Sequence, residues 1–160
     1  MVGDRPGGVV EVTNNIIRNN SLGIGFFSKH KFIIANNLVK GSRALTDGLG
    51  ISISYKSKAI IKDNEIITQR QGIRLRGRGG KVVVEGNTVS ADYGLLLRCS
   101  SSAQIDLGGG PLGSSGKNTF QSSEYIIKYK LPPYNGNIYA KNNTWKDAYG
   151  NTFQPPTTLE

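Results

Sequence analysis

The sequence predicts an all-β fold in which the chain winds into a β-solenoid, a coil of short strands stacked turn upon turn. Three observations support this prediction: a repeat along most of the chain, strand-like alternation within each repeat, and no helical periodicity between the strands. The chain has 160 residues, a length that suits one domain. Its 37% hydrophobic residues can form a core, and no apolar run approaches the roughly 18 residues of a membrane span.

The repeat is marked by an asparagine that is followed two residues later by a large apolar residue. Successive copies are 22, 27, 23, 31 and 25 residues apart, so the phasing survives changes in repeat length. The longer repeats are expected to carry loops at one corner of the coil, chiefly over 40–49 and 108–117. The marked asparagines are Asn15, Asn37, Asn64, Asn87, Asn118 and Asn143.

Apolar residues alternate with other residues on both sides of these asparagines. Upstream of five of the six, the positions five and three residues before are apolar, as in Phe32 and Ile34. Downstream of the first four, a glycine precedes a second apolar pair, as in Gly72 with Ile73 and Leu75. A period of two indicates strands. The repeat is shorter than the roughly 30 residues that a βαβ unit needs, so each strand is expected to stack directly on its equivalent in the next turn.

The asparagine and the glycine each have a predicted role at a corner of the coil. A stacked asparagine can donate from its side-chain amide to the asparagine one turn away. Its own backbone is expected in the left-handed αL conformation that turns the chain, which asparagine tolerates well. The glycine before the second apolar pair is expected to serve the next corner for the same conformational reason. The six asparagines are therefore predicted to form one ladder.

We expect a single domain over residues 1–160, with coils over roughly 9–147 and a tail or cap over 148–160 that could include tag residues. The proline pairs Pro132-Pro133 and Pro155-Pro156 cannot extend a sheet, so they are candidates to cover the late end of the stack. The first strand begins near Val9 with little chain before it to cover the early end. The chain is therefore expected to be a fragment of a longer protein.

The asparagine and glycine pattern resembles the right-handed parallel β-helix repeats of the pectate-lyase-like superfamily, including those of periplasmic copper-processing β-helix proteins. Segment 105–120 is similar to a late-coil signature of uncharacterised members, and segment 140–145 is similar to their closing coil. The resemblance covers roughly residues 9 to 147 and implies a single-stranded right-handed parallel β-helix of about six coils. It implies no single activity, because the superfamily includes lyases, hydrolases and adhesins.

The glycine-led strand also predicts a cluster of arginines. Residues one and three after the glycine are expected to point inward, and those two and four after it to point to solvent. Arg74, Arg76 and Arg98 then lie on one face across two adjacent turns, and no acid occurs between residues 69 and 81. Because guanidinium groups pair bidentately with carboxylate, sulfate or phosphate, these three are the predicted ligand-binding residues for an anion. A solvated basic face is the alternative. The whole outward column is Gly25, Phe27, Ser52, Ser54, Arg74, Arg76, Leu96 and Arg98.

No catalytic residue, metal site or cofactor is predicted. In the lyases that the sequence resembles, the outer face binds acidic polysaccharide, and an arginine can abstract a proton beside calcium held by carboxylates. Here the acids Asp63, Glu65, Glu85 and Asp92 are expected on other strands or corners. Asp106 is expected to accept hydrogen bonds within a turn rather than to bind a metal.

The net charge of +9 makes nucleic acid a rival partner. Aromatic residues such as Tyr125 and Trp145 gather toward the C-terminal end, however, so a stacking platform for bases beside the arginines is not expected. The sequence favours a non-catalytic module, extracellular or at the cell surface, that binds an acidic polysaccharide or serves as a structural segment. One alternative is a fragment of a polysaccharide lyase or hydrolase, and another is end-to-end self-association through the open ends.

Overall fold

The structure is a computed structural model that describes residues 8–41, 48–54, 56–68, 70–100, 102–129, 134 and 136–154. The described residues form sixteen strands and no helix, and so they include no helix that could cross a membrane. The strands are β1 (Val9–Thr13), β2 (Ile16–Asn20), β3 (Leu22–Phe26), β4 (Lys31–Ala35), β5 (Leu38–Gly41), β6 (Leu49–Ile53), β7 (Lys58–Lys62), β8 (Glu65–Ile67), β9 (Gln71–Gly77), β10 (Lys81–Glu85), β11 (Thr88–Cys99), β12 (Gln104–Gly108), β13 (Thr119–Tyr129), β14 (Ile138–Ala140), β15 (Thr144–Lys146) and β16 (Thr152–Phe153).

The strands stack into three faces. The first face contains β1, β4, β7, β10, β12 and β14 in that order. The second contains β2, β5, β8, the first halves of β11 and β13, and β15; the third contains β3, β6, β9 and the second halves of β11 and β13. Pairing between successive turns is parallel. The first face has six strands, so five turns of the coil lie between β1 and β14. This confirms the predicted all-β solenoid.

The register places the alternating apolar residues of successive turns directly over one another. On the first face Ile34 pairs with Ile61 and Ile61 with Val84, and all three side chains are fully buried. On the third face Ile73 pairs with Leu95, and both are fully buried as well. The inward positions predicted from the period-two pattern therefore form one continuous core between the faces.

The asparagine ladder lies at the corner between the first and second faces. The backbone N and the Nδ2 of Asn64 both donate to Oδ1 of Asn87, at 3.0 and 2.9 Å. Asn87 donates in the same way to Asn118, and its Nδ2 also reaches the carbonyl oxygen of Ile61 at 2.8 Å. The predicted ladder is confirmed through all six of its members: Asn15, Asn37, Asn64, Asn87, Asn118 and Asn143.

The left-handed backbone conformation occurs one residue before each ladder asparagine, and the prediction that the ladder asparagine itself adopts it is wrong. The φ angle is 56° at Asn36 and 52° at Asp63, and both side chains are exposed. The reason is a division of roles. The ladder asparagine must direct its amide into the stack to reach its neighbours, so the preceding residue makes the turn. The other residues of this kind are Asn14, Gly86, Lys117 and Asn142.

The glycines at the second corner are required by space, and the conformational role predicted for them is wrong. Gly72 and its equivalents Gly23, Gly50 and Gly94 are not among the described residues with positive φ. A Cβ on Gly72 would lie 2.7 Å from the carbonyl oxygen of Gly94 and would overlap the side chain of Val89. The chain passes so close to the following turn at this corner that no side chain fits.

The glycine-rich insertion between β12 and β13 is organised by Asp106, whose side chain is fully buried. Its Oδ1 accepts hydrogen bonds from the backbone N of Gly108 and Gly110 at 3.0 and 3.1 Å. Its Oδ2 accepts from the backbone N of Leu112 and Ser114 at 3.0 and 3.3 Å. Four donors compensate for burying this carboxyl group, and the predicted acceptor role is confirmed.

The two ends of the stack are covered differently. At the late end, β16 pairs antiparallel with β15, with Phe153 opposite Trp145. At the early end, the described partners of β1, β2 and β3 all belong to the following turn. In the early turn, the side chains of Val9 and Ile16 are 50% and 68% exposed. An apolar, unpaired edge is thus present at the early end of the described stack.

Two predictions concern segments outside the described residues. The predicted corner loop over 40–49 includes 42–47, of which the structure gives no description. The two proline pairs predicted to cover the late end also lie outside the described residues. The second predicted loop, over 108–117, follows β12 at the corner between the first and second faces. In chain order, 42–47 falls between β5 of the second face and β6 of the third, so the expectation that both loops occur at one corner is wrong.

Candidate functional site

The three predicted arginines lie together on the outer side of the third face. The parallel register places Arg76 of β9 directly beside Arg98 of β11. Arg74 precedes Arg76 by two residues on β9 and so projects to the same side. Arg76 is exposed, whereas Arg74 and Arg98 are partly covered. We call these three residues and the neighbouring Lys128, described below, the basic surface.

Arg74 is anchored to the preceding turn. Register pairs it with Ser52 of β6, and its Nε donates a hydrogen bond to Ser52 Oγ at 3.2 Å. Gly25 of β3 follows Ser52 in the same row, so the two residues next to Arg74 toward the early end have a short side chain or none. This row gives a long side chain room to lie along the stack, which orients the guanidinium along the coil axis.

The exposed column predicted from alternation is only partly correct. Ser52, Ser54 and Leu96 were expected to face solvent, but their exposed fractions are 0%, 5% and 2%. Longer side chains of adjacent turns cover two of them: Arg74 lies over Ser52 from one side, and Leu96 is flanked in register by Arg74 and Lys128. Alternation determines which side of a sheet a side chain leaves from. Burial on that side depends on the length of its neighbours.

The positive charges on the basic surface repel one another. Partial burial, together with the positive charges of Arg76 and Arg98, lowers the pKa of the Arg74 guanidinium. A guanidinium remains protonated at neutral pH despite such a shift, so the three charges persist and repel. An anion bound between them would relieve that repulsion. An ion pair elsewhere in the stack joins Lys62 Nζ and Glu85 Oε1 at 3.3 Å, and both residues belong to the first face.

Sequence reasoning missed Lys128, Tyr93 and Tyr125. Register pairs Lys128 of β13 with Leu96, which in turn pairs with Arg74, so Lys128 extends the basic surface by one turn. Its Nζ lies 4.1 Å from the ring centroid of Tyr93 and 4.5 Å from that of Tyr125. Tyr125 was expected to lie away from the arginine column, and it lies beside Lys128, the cation that extends that column by one turn.

A β-bulge explains why Lys128 was missed. Leu96 is the ninth residue after Asn87, whereas Lys128 is the tenth after Asn118, because the register shifts between Ala91 and Tyr93. Counting at a fixed distance from the asparagine would have placed Ile127 opposite Leu96. The repeated Tyr-x-apolar spacing after the bulge, in Tyr93 to Leu95 and Tyr125 to Ile127, is too degenerate to reveal the shift.

The acids lie apart from the three arginines. Glu65 starts β8 on the second face, and Glu85 ends β10 on the first. The hydrogen bond from the backbone of Ser115, with a further contribution from Lys62, lowers the pKa of Glu85. Asp92 lies on β11, the same strand as Arg98, but at the corner between the second and third faces. Across the described ranges, no three His, Cys, Asp or Glu side chains group in a way that could hold a metal ion.

Similarity to known proteins identifies the fold family of the chain. No curated protein and no solved structure matches the chain. Residues 3–109, more than half of the chain, match a family model described as a right-handed β-helix region. The stacked parallel strands and the asparagine ladder are the architecture that this description names. The chain belongs to the right-handed β-helix family.

Proposed function

We propose that this protein is a non-catalytic β-helix module that binds an anionic glycan through Arg74, Arg76 and Arg98. The observation that carries the proposal is the clustering of three guanidinium groups on one face. Burial lowers the pKa of Arg74, and the charges of Arg76 and Arg98 lower it further. Lys128 adds a fourth cation on the following turn. A ligand of this class would place the module outside the cell or at the cell surface.

The spacing of the cations suits a polymer better than a single ion. Adjacent turns of the stack are about 4.8 Å apart. The cations of β9, β11 and β13 occupy two neighbouring rows of the register: Arg76 lies beside Arg98 in one row, and Arg74 and Lys128 flank Leu96 in the other. Several partly exposed charges each contribute little in water, because solvent and salt screen them. A chain with repeated carboxylate or sulfate groups gains from binding several of them at once.

The test is the binding of oligogalacturonides to the double variant Arg76→Ala/Arg98→Ala. Arg76 and Arg98 are chosen because Arg74 also bonds to Ser52, so its loss would disturb the strand beneath it. The variant should lose about tenfold in affinity at low salt, and the wild-type affinity should fall steeply as salt is added. Arg18→Ala, an exposed arginine on β2, is the matched control and should bind as the wild type does. Unchanged affinity in the double variant would reject the proposal.

The same titration distinguishes the rival partners and activities. Accumulation of an unsaturated product during incubation would favour the lyase alternative over simple binding. A single-stranded oligodeoxynucleotide that binds more tightly than the oligogalacturonide would favour nucleic acid. We do not expect the oligodeoxynucleotide to bind more tightly, because Tyr93 is largely buried and the Lys128 ammonium covers one side of both tyrosine rings, which leaves no open stack for bases.

A second proposal concerns the early end, which we infer associates with the early end of a second copy. The observation that favours it is the set of exposed apolar side chains on the early strands, including Val9 and Ile16, whose described partners all lie on the following turn. Antiparallel pairing of two such edges around a two-fold axis would satisfy the backbone groups and bury the apolar side chains.

A further inference from the structure

We propose that the groove beside the basic surface binds an uncharged, hydroxyl-bearing sugar unit of the same glycan. This inference rests on the proposed function, and it adds a second subsite of different chemistry. The groove has a volume of about 620 Å³, within the range of roughly 300–1,000 Å³ that is typical of small-molecule sites. It lies at the corner between the second and third faces. Its lining includes Arg70, Asp92, Gln121, Ser123, Glu124 and Ala148.

The β-bulge shapes the groove. Because the register shifts between Ala91 and Tyr93, the single residue Asp92 of β11 faces both Ser123 and Glu124 of β13. Ser123 Oγ donates a hydrogen bond to Asp92 Oδ1 at 2.6 Å, which fixes that carboxylate at the groove wall. Bulges re-aim side chains at the edges of binding sites, and here the bulge turns two carboxylates toward one space.

The opposite side of the groove is fixed by Gln121. Its Nε2 donates to the carbonyl oxygen of Ala148 at 3.2 Å, which ties β13 to the segment that follows β15. The groove is thus walled by residues from successive turns, and the wall is held by hydrogen bonds between them. A groove held in this way can present its polar groups without first having to order them.

The lining favours a ligand whose charge differs from that of the anion proposed for the basic surface. Ionised Asp92 and Glu124 are acceptors only, so they favour hydroxyl donors and disfavour a carboxylate or sulfate. Beyond its bond to Ala148, the Gln121 amide retains one N–H donor and its oxygen acceptor, whereas the Ser123 hydroxyl donates its proton to Asp92 and adds an acceptor only. Arg70 lines the same groove and offsets part of the negative charge. An uncharged sugar ring, with hydroxyl groups in several directions, matches this set.

The groove and the basic surface are neighbours along the same two strands. Tyr93 directly follows Asp92, and Tyr125 directly follows Glu124. The two rings lie 6.1 Å apart between centroids, and Lys128 Nζ lies over both. Tyr125 is 52% exposed and forms the rim between the two sites. A glycan crossing this rim would place one unit in the groove and its charged units along the arginines.

The test compares two oligomers with the same sugar backbone, an oligogalacturonide and its fully methyl-esterified, uncharged form. Glu124→Ala removes an exposed acceptor, and Ser123→Tyr fills the groove from an exposed position, so both variants should fold. Each should weaken binding of the uncharged oligomer about tenfold, since a lost hydrogen bond to a charged group or a steric block costs that much. Glu11→Ala, an exposed acid on β1, is the matched control.

The two oligomers separate this inference from the proposed function. The Arg76→Ala/Arg98→Ala variant should lose the charged oligomer but retain the uncharged one. If the wild type fails to bind the uncharged oligomer, or if the groove variants bind it as the wild type does, the groove assignment is overturned while the arginine site stands. If the wild type fails to bind the charged oligomer, the proposed function is overturned, and the uncharged oligomer still reports on the groove alone.

Discussion

A ladder asparagine connects three turns of the coil through one side chain. Asn87 is fully buried; its Oδ1 accepts from the backbone N and Nδ2 of Asn64, and its Nδ2 donates to Asn118, to Ile61 and to Glu85. Aspartate would lack the donor, and glutamine would place its amide one bond too far out. The residue before it needs only a left-handed turn, which Asn, Asp, Lys and Gly all supply here. The residue type is therefore restricted to asparagine at the ladder position and varies at the position before it.

Replacing Asn87 by alanine should lower the free energy of unfolding by about 2–5 kcal/mol, because the buried backbone groups of Asn64 and Ile61 lose their partners. Asn15→Ala is the control at the exposed end of the same ladder and should cost less than about 1 kcal/mol. Urea unfolding followed by circular dichroism measures both. Equal losses at the two positions would show that the ladder does not stabilise the fold through burial.

At the scale of strands and corners, the sequence pattern predicts what is repeated and fails where the repeat is broken. The ladder and the inward residues follow from phasing alone, because each turn places equivalent residues over one another. The bulge near Asp92 carries no sequence signal, so the pairing of Leu96 with Lys128 and the groove beside it were not predictable. The role of Gly72 also depended on the distance to the next turn, which composition does not encode.

The close approach at the glycine corner predicts a steric cost. Gly72→Ala should lower the free energy of unfolding by about 1–3 kcal/mol, as expected for overpacking. The added Cβ would collide with the Val89 side chain and the Gly94 backbone, which both belong to the following turn. Gly41→Ala is the matched control on β5, where the added Cβ would lie 3.4 Å from Thr68 Cγ2 in ordinary contact. Thermal or urea unfolding compares the pair. A neutral Gly72→Ala would mean that the turns can separate at this corner without loss.

At the scale of the molecule, charge and exposed apolar surface act in opposite directions on assembly. The net charge of +9 opposes the approach of two copies, and salt screens this repulsion over about 10 Å at 0.1 M. The early turn, which among the described residues pairs on one edge only, favours approach through apolar burial and strand pairing. Salt should therefore have opposite effects on the two proposed activities. It should weaken glycan binding at the arginines and strengthen association of the early ends.

Light scattering measures that association directly. The mean mass of the wild type should rise with protein concentration toward that of a dimer, and more strongly at higher salt. Ile16→Lys adds a charge to the early edge at a residue that is already 68% exposed, so it should keep the protein monomeric with little loss of stability. Tyr149→Lys makes the same kind of change near the late end, at a residue that is 91% exposed, and should leave the association unchanged. A wild-type mass that stays monomeric at every concentration, or equal effects of the two lysines, would refute pairing through the early end.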